Sequence, residues 1–195
     1  MTHLIPSIVT PLLGTMFAVG FYHRIQSVRT GEPLDRTKEG WPLLIGIRML
    51  GLAVAVQVVL ALTRPGALAW AHLPLPDSIR GLGVAFLALA VAWLSWMFIS
   101  LGRNLTDTVV TRRESTLVLH GPYRYVRNPM YTGVALLGLG IGLALENWSI
   151  PLTAFAVFTL FAIRTRIEEM YLIARFGDSY REYMRRTGRF LPGLL

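Results

Sequence analysis

The stretch 120–133, HGPYRYVRNPMYTG, gathers side chains suited to binding a charged aromatic ligand. Pro122 and Pro129 fix φ and remove backbone donors, so this segment is predicted to be a rigid loop and not one continuous helix. Tyrosine rings offer flat faces and arginine offers a charged fork, which suits an aromatic, anionic or zwitterionic ligand. The residues concerned are Tyr123, Tyr125, Tyr131, Arg124 and Arg127.

A pair of carboxylates, Glu168 and Glu169, follows where the last apolar segment ends. Carboxylates accept hydrogen bonds from an ammonium group or from ribose hydroxyls. Facing the tyrosines and arginines, they would complete a cavity at the membrane surface for a charged, nucleotide-like cofactor. Because Arg164 and Arg166 precede them, an interfacial salt-bridge network is the alternative interpretation.

The composition excludes an ordinary soluble domain, because 53% of the 195 residues are hydrophobic and only 15% are charged. The net charge of +8 does not indicate a nucleic-acid partner, since the arginines gather between the apolar runs. Without cysteine, the chain has no disulfide, thiolate metal site or cysteine nucleophile. No metal site is expected, because His3, His23, His72 and His120 are scattered.

The apolar runs predict an all-α integral membrane protein with about five transmembrane helices. Three runs reach the roughly 20 residues that a full span needs, and the last two are nearer 15 and form a short C-terminal hairpin around Glu146–Trp148. The first run lacks a positive leader, so we expect a retained helix and not a signal peptide. The runs are Leu4–Tyr22, Trp41–Leu62, Gly81–Leu101, Met130–Leu145 and Ser149–Ile163.

The basic residues predict the orientation of these helices. Segments 23–40, 102–129 and 164–195 carry four, five and seven of them, whereas the opposite face has only Arg64 and Arg80. Basic residues favour the cytoplasmic side, so the N-terminus is predicted outside and the loop and C-terminus inside. The excess of arginine over lysine favours a bacterial genome rich in G and C, and hence a location in a bacterial inner membrane.

The polar C-terminal region is predicted to be helical. The last span should continue as a helix to Gly177, and DSYREYMRR should form a second helix capped by Asp178 or Ser179. Residues 1–101 would then supply three N-terminal helices. Residues 102–195 would supply the cofactor loop, the hairpin and the cytoplasmic C-terminal helices, and together both parts form one structural domain.

A few intramembrane residues have two interpretations each. Arg48 lies about 10 Å inside its span, where it either marks a functional site or extends its side chain to the interface. Trp93 and Trp96 share one helix face and could wall a channel for a lipid substrate or simply pack. Gly138 and Gly142 are four apart, which favours close helix packing over dinucleotide binding.

The combined motifs resemble the isoprenylcysteine carboxyl methyltransferase family of integral membrane methyltransferases, a group that includes the phospholipid N-methyltransferases. The resemblance lies in G-P-Y-R-x-x-R-x-P-x-Y, then E-E, then F-G-x-x-Y-x-x-Y, and it covers about residues 115–192. The segment LPDSIR at 75–80 resembles the family more weakly. Two positions depart from the family pattern, because Ser115 and Asn128 stand where members usually have histidine. His120 is the candidate replacement.

The resemblance implies S-adenosylmethionine as the methyl donor and assigns roles to matching residues. Arg127, Glu168 and Arg175 are the candidate catalytic residues, and Arg48, Trp93 and Trp96 the candidate substrate contacts. The cofactor contacts would be His120, Gly121, Pro122, Tyr123, Arg127, Asn128, Pro129, Tyr131, Glu168, Glu169, Tyr180, Tyr183 and Arg189.

The acceptor implied by the family is a lipid or lipidated substrate from the bilayer, first of all an isoprenylcysteine carboxylate. A carboxylate needs a positioning cation, whereas an amine must first lose a proton, for which Glu168 or Glu169 is available. A phospholipid amine and a small-molecule thiol therefore stay open as acceptors, as does the oligomeric state. Two other classes stay open as well: an NADPH-dependent sterol-type reductase and a non-catalytic lipid-binding protein.

Overall fold

The computed structural model describes residues 4–28, 41–102 and 116–194, and within these ranges all regular structure is helical. This confirms the predicted all-α fold. Two short 3-10 segments lie at Pro65–Ala71 and Gly121–Arg124. The α-helices are α1 (Leu4–Val28), α2 (Trp41–Thr63), α3 (Asp77–Leu101), α4 (Pro129–Ala144), α5 (Ser149–Phe176) and α6 (Asp178–Arg186).

Four of these helices, α1, α2, α3 and α5, are long and apolar enough to cross a membrane. The fifth predicted span, α4, has 16 residues. At 1.5 Å per residue it is about 24 Å long, shorter than the roughly 30 Å of hydrocarbon in a bilayer. The chain is an integral membrane protein whose hairpin pairs this short helix with the long α5, and α5 runs on to Phe176 as predicted.

Glycines bring α3 and α4 into backbone contact. A Cβ on Gly83 would lie 2.5 Å from the amide nitrogen of Ala144 and 2.9 Å from the carbonyl oxygen of Gly140. On the other side of α4, Gly138 and Gly142 leave room for Ala154 and Pro151 of α5. The interpretation of the α4 glycines as packing positions is confirmed, and α4 is held between α3 and α5.

The turn between α4 and α5 is fixed by its own polar side chains. Asn147 Oδ1 accepts hydrogen bonds from the amide groups of Ser149 (3.0 Å) and Ile150 (3.2 Å), the first two residues of α5. Glu146 Oε1 accepts from the amide of Leu75 at 3.1 Å, and its Oε2 lies 3.5 Å from Arg80 Nε. The predicted tight turn is confirmed, and it is tied to the segment that precedes α3.

The start of α6 differs from the prediction. Its N-cap residue is Gly177, with φ of +56°, and no side chain caps the helix. The prediction that Asp178 or Ser179 caps α6 is therefore wrong. Both residues lie inside the helix, because glycine turns the chain sharply in the left-handed region and α6 begins at the next residue.

A glycine substitution at the α3–α4 contact should destabilise the fold. Gly83→Ala forces apart two helix backbones, and overpacking of this kind costs about 1–3 kcal/mol. Gly81→Ala is the matched control, because it lies in the same helix with no atom within 4 Å of the new methyl group. We expect the detergent-purified Gly83→Ala protein to unfold at a lower temperature than wild type. Equal melting temperatures for both variants would contradict this packing.

Candidate functional site

The loop between α3 and α4 has the irregular backbone that its prolines predicted. Gly121 starts a 3-10 turn with φ of +64°, and a Cβ there would collide with the Ser100 side chain. Pro122 is buried in the turn, and Pro129 is the first residue of α4. The segment 120–128, called the motif loop below, is thereby pressed against the end of α3.

Two tryptophans of α3 support the motif loop from the side. Trp93 Nε1 donates a hydrogen bond to the carbonyl oxygen of Pro129 at 2.8 Å. The Trp96 ring packs edge-on against Trp93, with centroids 6.0 Å apart, and lies 6.2 Å from the ring of Tyr125. These contacts give the tryptophans a packing role that fixes where α4 begins.

The most buried charges of the site form a network around Glu169. Arg127 Nε donates to Glu169 Oε1 at 3.0 Å, and only 4% and 6% of these side chains are exposed. Arg127 Nη1 also donates to the carbonyl oxygens of Met184 (2.9 Å) and Thr187. Arg189 Nη2 pairs with the other carboxylate oxygen, Oε2. One carboxylate of α5 thus joins the motif loop to the end of the chain.

Residues 187–194, called the C-terminal tail below, return from α6 to lie beside the motif loop. The amide of Arg127 donates to Gly188 O at 2.8 Å, and the amide of Asn128 donates to Arg189 O at 3.1 Å. Thr132 Oγ1 donates to Phe190 O at 2.6 Å. The tail is therefore held by main-chain and side-chain bonds along the loop and the first turn of α4.

A cavity of about 170 Å³ lies between the motif loop, α3, α5 and α6. Its polar wall includes Glu168, whose Oε2 accepts a hydrogen bond from the Tyr131 hydroxyl at 2.7 Å. The Tyr131 ring stacks on Phe161 with centroids 4.6 Å apart, which holds the hydroxyl in place. The remaining wall is mostly apolar, with Met97, Leu101, Leu117, Val118, Met130, Leu172 and Phe176.

Helix α6 covers this cavity with two tyrosines. Tyr180 and Tyr183 are both buried and both line the cavity. The Tyr183 hydroxyl donates to the carbonyl oxygen of Tyr123 at 2.6 Å, so α6 is bonded to the motif loop. Burial raises the pKa of Tyr123, Tyr180 and Tyr183 above the usual range. All three phenols keep their proton at physiological pH, so each hydroxyl is able to donate a hydrogen bond.

The cavity brings together eight of the predicted site residues. Glu168 and Glu169 look equivalent in the sequence, yet only Glu168 reaches the cavity, because successive helix positions point about 100° apart. The predicted residues that line the cavity are Tyr123, Arg127, Asn128, Pro129, Tyr131, Glu168, Tyr180 and Tyr183.

Other candidates lie outside the lining. His120 is exposed, as are Arg48 on α2 and Arg175, whose guanidinium lies 5.4 Å from the Phe176 ring centroid. Gly121, Pro122, Trp93 and Trp96 shape the loop, and Glu169 and Arg189 form the buried network. Ser115, the other departure from the family pattern, lies outside the described residues. The functional roles assigned to these residues stay predictions.

Several lining residues were not singled out from the sequence. Leu172 and Phe176 follow Glu168 at intervals of four on α5, so a single helix face carries the carboxylate and two apolar side chains into the cavity. That spacing was a usable signal. Met97 and Leu101 of α3 show the same interval, but nothing in the sequence connects them with a loop about 20 residues later.

Comparison with known proteins points to a single family. The phospholipid methyltransferase family profile matches residues 79–179, just over half of the chain. A protein-S-isoprenylcysteine O-methyltransferase of Schizosaccharomyces pombe is 32% identical over 112 residues, which are 56% of this chain and 48% of that protein. The cobalt-zinc-cadmium resistance protein CzcN of Cupriavidus metallidurans is 31% identical over 116 residues, 58% of this chain and 53% of that protein.

The fold also has a counterpart among solved structures. The eukaryotic intramembrane Ras methyltransferase ICMT (isoprenylcysteine carboxyl methyltransferase) matches with a TM-score of 0.59 at 21% identity, over 96% of this chain and 68% of that one. At this identity the match supports the fold. The chain spans about half the length of the curated relatives it matches.

Neutralising the carboxylate of Glu169 should destabilise the folded protein. Glu169→Gln leaves two guanidinium groups without their buried counter-charge, and breaking a buried pair costs about 3–5 kcal/mol. We expect a clear fall in the melting temperature of the detergent-purified protein. Glu182→Gln is the control, since Glu182 pairs with Arg185 and Arg186 on the exposed face of α6. Similar melting temperatures for the two variants would contradict a central role for the network.

Proposed function

The chain belongs to the phospholipid methyltransferase family, and from this premise we propose that it is an S-adenosylmethionine-dependent methyltransferase with a lipophilic acceptor. One observation carries the proposal: a single cavity joins a polar wall of tyrosines and a carboxylate to an apolar wall continuous with the helices of the bundle. A charged nucleoside needs the polar wall, and a lipid chain needs the apolar wall.

The chemistry of the lining fits the cofactor. S-adenosylmethionine carries an adenine ring, ribose hydroxyls, an ammonium group and a sulfonium, all of which suit aromatic faces and a carboxylate. Tyr123, Tyr180 and Tyr183 provide the aromatic faces, Glu168 the carboxylate and Asn128 an amide edge. The cavity of about 170 Å³ is smaller than the roughly 300–1,000 Å³ usual for ligand pockets. Thr116 lines the cavity and directly follows residues 103–115, which lie outside the described ranges, so this volume refers to the described residues alone.

The residues of this chain would bind, orient and enclose the reactants. When bound, the cofactor supplies an electrophilic methyl group on a positively charged sulfur. Glu168, oriented by Tyr131, offers a fixed carboxylate for a positively charged partner. The cover formed by α6 and the apolar side chains of Leu172 and Phe176 would exclude water, which otherwise competes with the acceptor.

The acceptor we propose first is an isoprenylcysteine carboxylate, following the names of the curated relatives. The family description favours a phospholipid amine as the second candidate. Arg127 already donates to Glu169 and to two carbonyl oxygens, so we assign it a positioning role and not that of the main cation for a carboxylate acceptor. For an amine acceptor, we assign Glu168 the role of the base that takes the proton.

We further propose that the protein lies in a bacterial inner membrane. The end of the bundle that holds the motif loop and α6 then faces the cytoplasm. The arginine-rich segments of the sequence support this orientation, because cytoplasmic loops carry an excess of basic residues.

The first test is calorimetric titration of the detergent-purified protein with S-adenosylhomocysteine. We expect a micromolar Kd and at least a tenfold weaker one for Glu168→Gln, which keeps the shape of the side chain and removes its charge. Glu182→Gln on the exposed face of α6 should bind like wild type. Binding of NADPH in place of S-adenosylhomocysteine would point to a reductase, and a folded protein that binds neither would contradict the proposal.

The acceptor is then found by supplying methyl-labelled S-adenosylmethionine with each candidate in turn. The panel is N-acetyl-S-farnesylcysteine for a carboxylate, phosphatidylethanolamine for an amine and a long-chain alkyl thiol. Label in the farnesylcysteine ester would support the first acceptor, and label in the phospholipid would replace it by the second.

A further inference from the structure

The C-terminal tail packs against the apolar helices α4 and α5 through the ring of Phe190. The Phe190 ring lies 5.3 Å from that of Phe158 in α5 and 6.1 Å from that of Tyr131 in α4, measured between centroids. Phe158 lies within the apolar part of a membrane-spanning helix. Directly after Phe190, Leu191 and Leu194 are 53% and 63% exposed. The tail therefore carries two exposed leucines close in sequence to a ring that packs against the apolar helices.

The outer face of α6, the helix that precedes the tail, presents exposed arginines. Arg181, Arg185 and Arg186 have side chains that are 56%, 69% and 75% exposed. The opposite face of the helix carries Tyr180 and Tyr183 over the cavity. One short helix thus joins the cover of the cavity to a basic outer surface.

The arginines are within reach of a headgroup layer. Phe190 is four positions after Arg186, and an extended chain covers at most about 3.6 Å per residue, so the two are within roughly 15 Å. The polar region on each side of a bilayer is about 5–8 Å deep. A long arginine side chain bridges the remaining distance.

The charge of this surface is positive even after its own ion pairs are formed. Helix α6 contains three arginines, Arg181, Arg185 and Arg186, and two acids, Asp178 and Glu182. Glu182 is shared by Arg185 and Arg186, and Asp178 pairs with Arg181. Exposed apolar side chains beside a basic helix face are the combination that binds an anionic membrane surface.

We propose that the outer face of α6 and the C-terminal tail bind the anionic phospholipid headgroups of the surrounding bilayer, and that this contact holds α6 over the cavity. The first part rests on the exposed arginines and leucines alone. The second part rests on the proposed function, because it assigns the lipid a role in cofactor binding. The lipid content of the membrane would then set how tightly the cofactor is held.

The binding surface is tested with a fluorophore on α6. The chain has no cysteine, so Ser179→Cys on the exposed side of α6 gives a single labelling site. The labelled full chain is placed in nanodiscs of phosphatidylcholine alone or with about one third phosphatidylglycerol, and quenching by neutral acrylamide is measured. We expect at least twofold less quenching in the anionic discs, and recovery of quenching at high salt because salt screens exposed charges.

The arginines are tested by Arg185→Gln with Arg186→Gln in the same chain. This double variant should lose the difference between the two lipids, whereas Arg64→Gln, at the other end of the bundle, should keep it. Equal quenching of the parent protein in both kinds of disc would overturn the proposed surface. Loss of the difference in the Arg64→Gln control would also overturn its assignment to α6.

The coupling to cofactor binding is measured by the Kd of S-adenosylhomocysteine in the same discs. Each arginine near an anionic surface is worth about 1 kcal/mol, or roughly fivefold in affinity. We expect the anionic discs to tighten the Kd three- to tenfold, and the double variant to remove that gain. An unchanged Kd overturns the coupling. Absence of binding in every disc, with lipid-dependent quenching intact, overturns the proposed function and leaves the lipid surface standing.

Discussion

The buried carboxylate of Glu169 is the constraint on which the rest of the site depends. A carboxylate that is 6% exposed cannot stay charged without a partner, and its two partners come from the motif loop and from the C-terminal tail, 62 residues apart. Arg127 has the same requirement and meets it with Glu169 and two carbonyl oxygens near the end of α6. Loop, helix and tail must therefore assemble together or not at all.

The position of the cavity follows from this assembly and from the glycine contacts of the bundle. Close packing of α3 on α4 fixes the height at which Pro129 begins α4, and Trp93 holds the carbonyl of that residue. The buried network then draws α6 across the opening, where Tyr183 bonds to the motif loop. Close packing thus sets the floor of the cavity and charge pairing sets its cover.

Much of this could be predicted from the sequence, because local rules governed it. Hydropathy placed the helices, prolines broke the motif loop, and spacing gave the packing glycines. The cap of α6 was predicted wrongly, since Gly177 reverses the chain in a conformation that no side-chain rule requires. The tail along the loop could not be predicted, because main-chain bonds such as the one from Arg127 to Gly188 carry no side-chain signature.

The adjacent acids show why residue types alone could not assign roles. Helix geometry turns Glu168 toward the cavity and Glu169 toward the interior, so one carboxylate lines the cavity while its neighbour pairs with two arginines. A salt-bridge network was one interpretation of the pair, and Glu169 forms such a network with Arg127 and Arg189; the ligand site at Glu168 stays a prediction. A positively charged ligand at Glu168 would then meet a carboxylate whose orientation depends on Tyr131, and a cover whose position depends on Glu169.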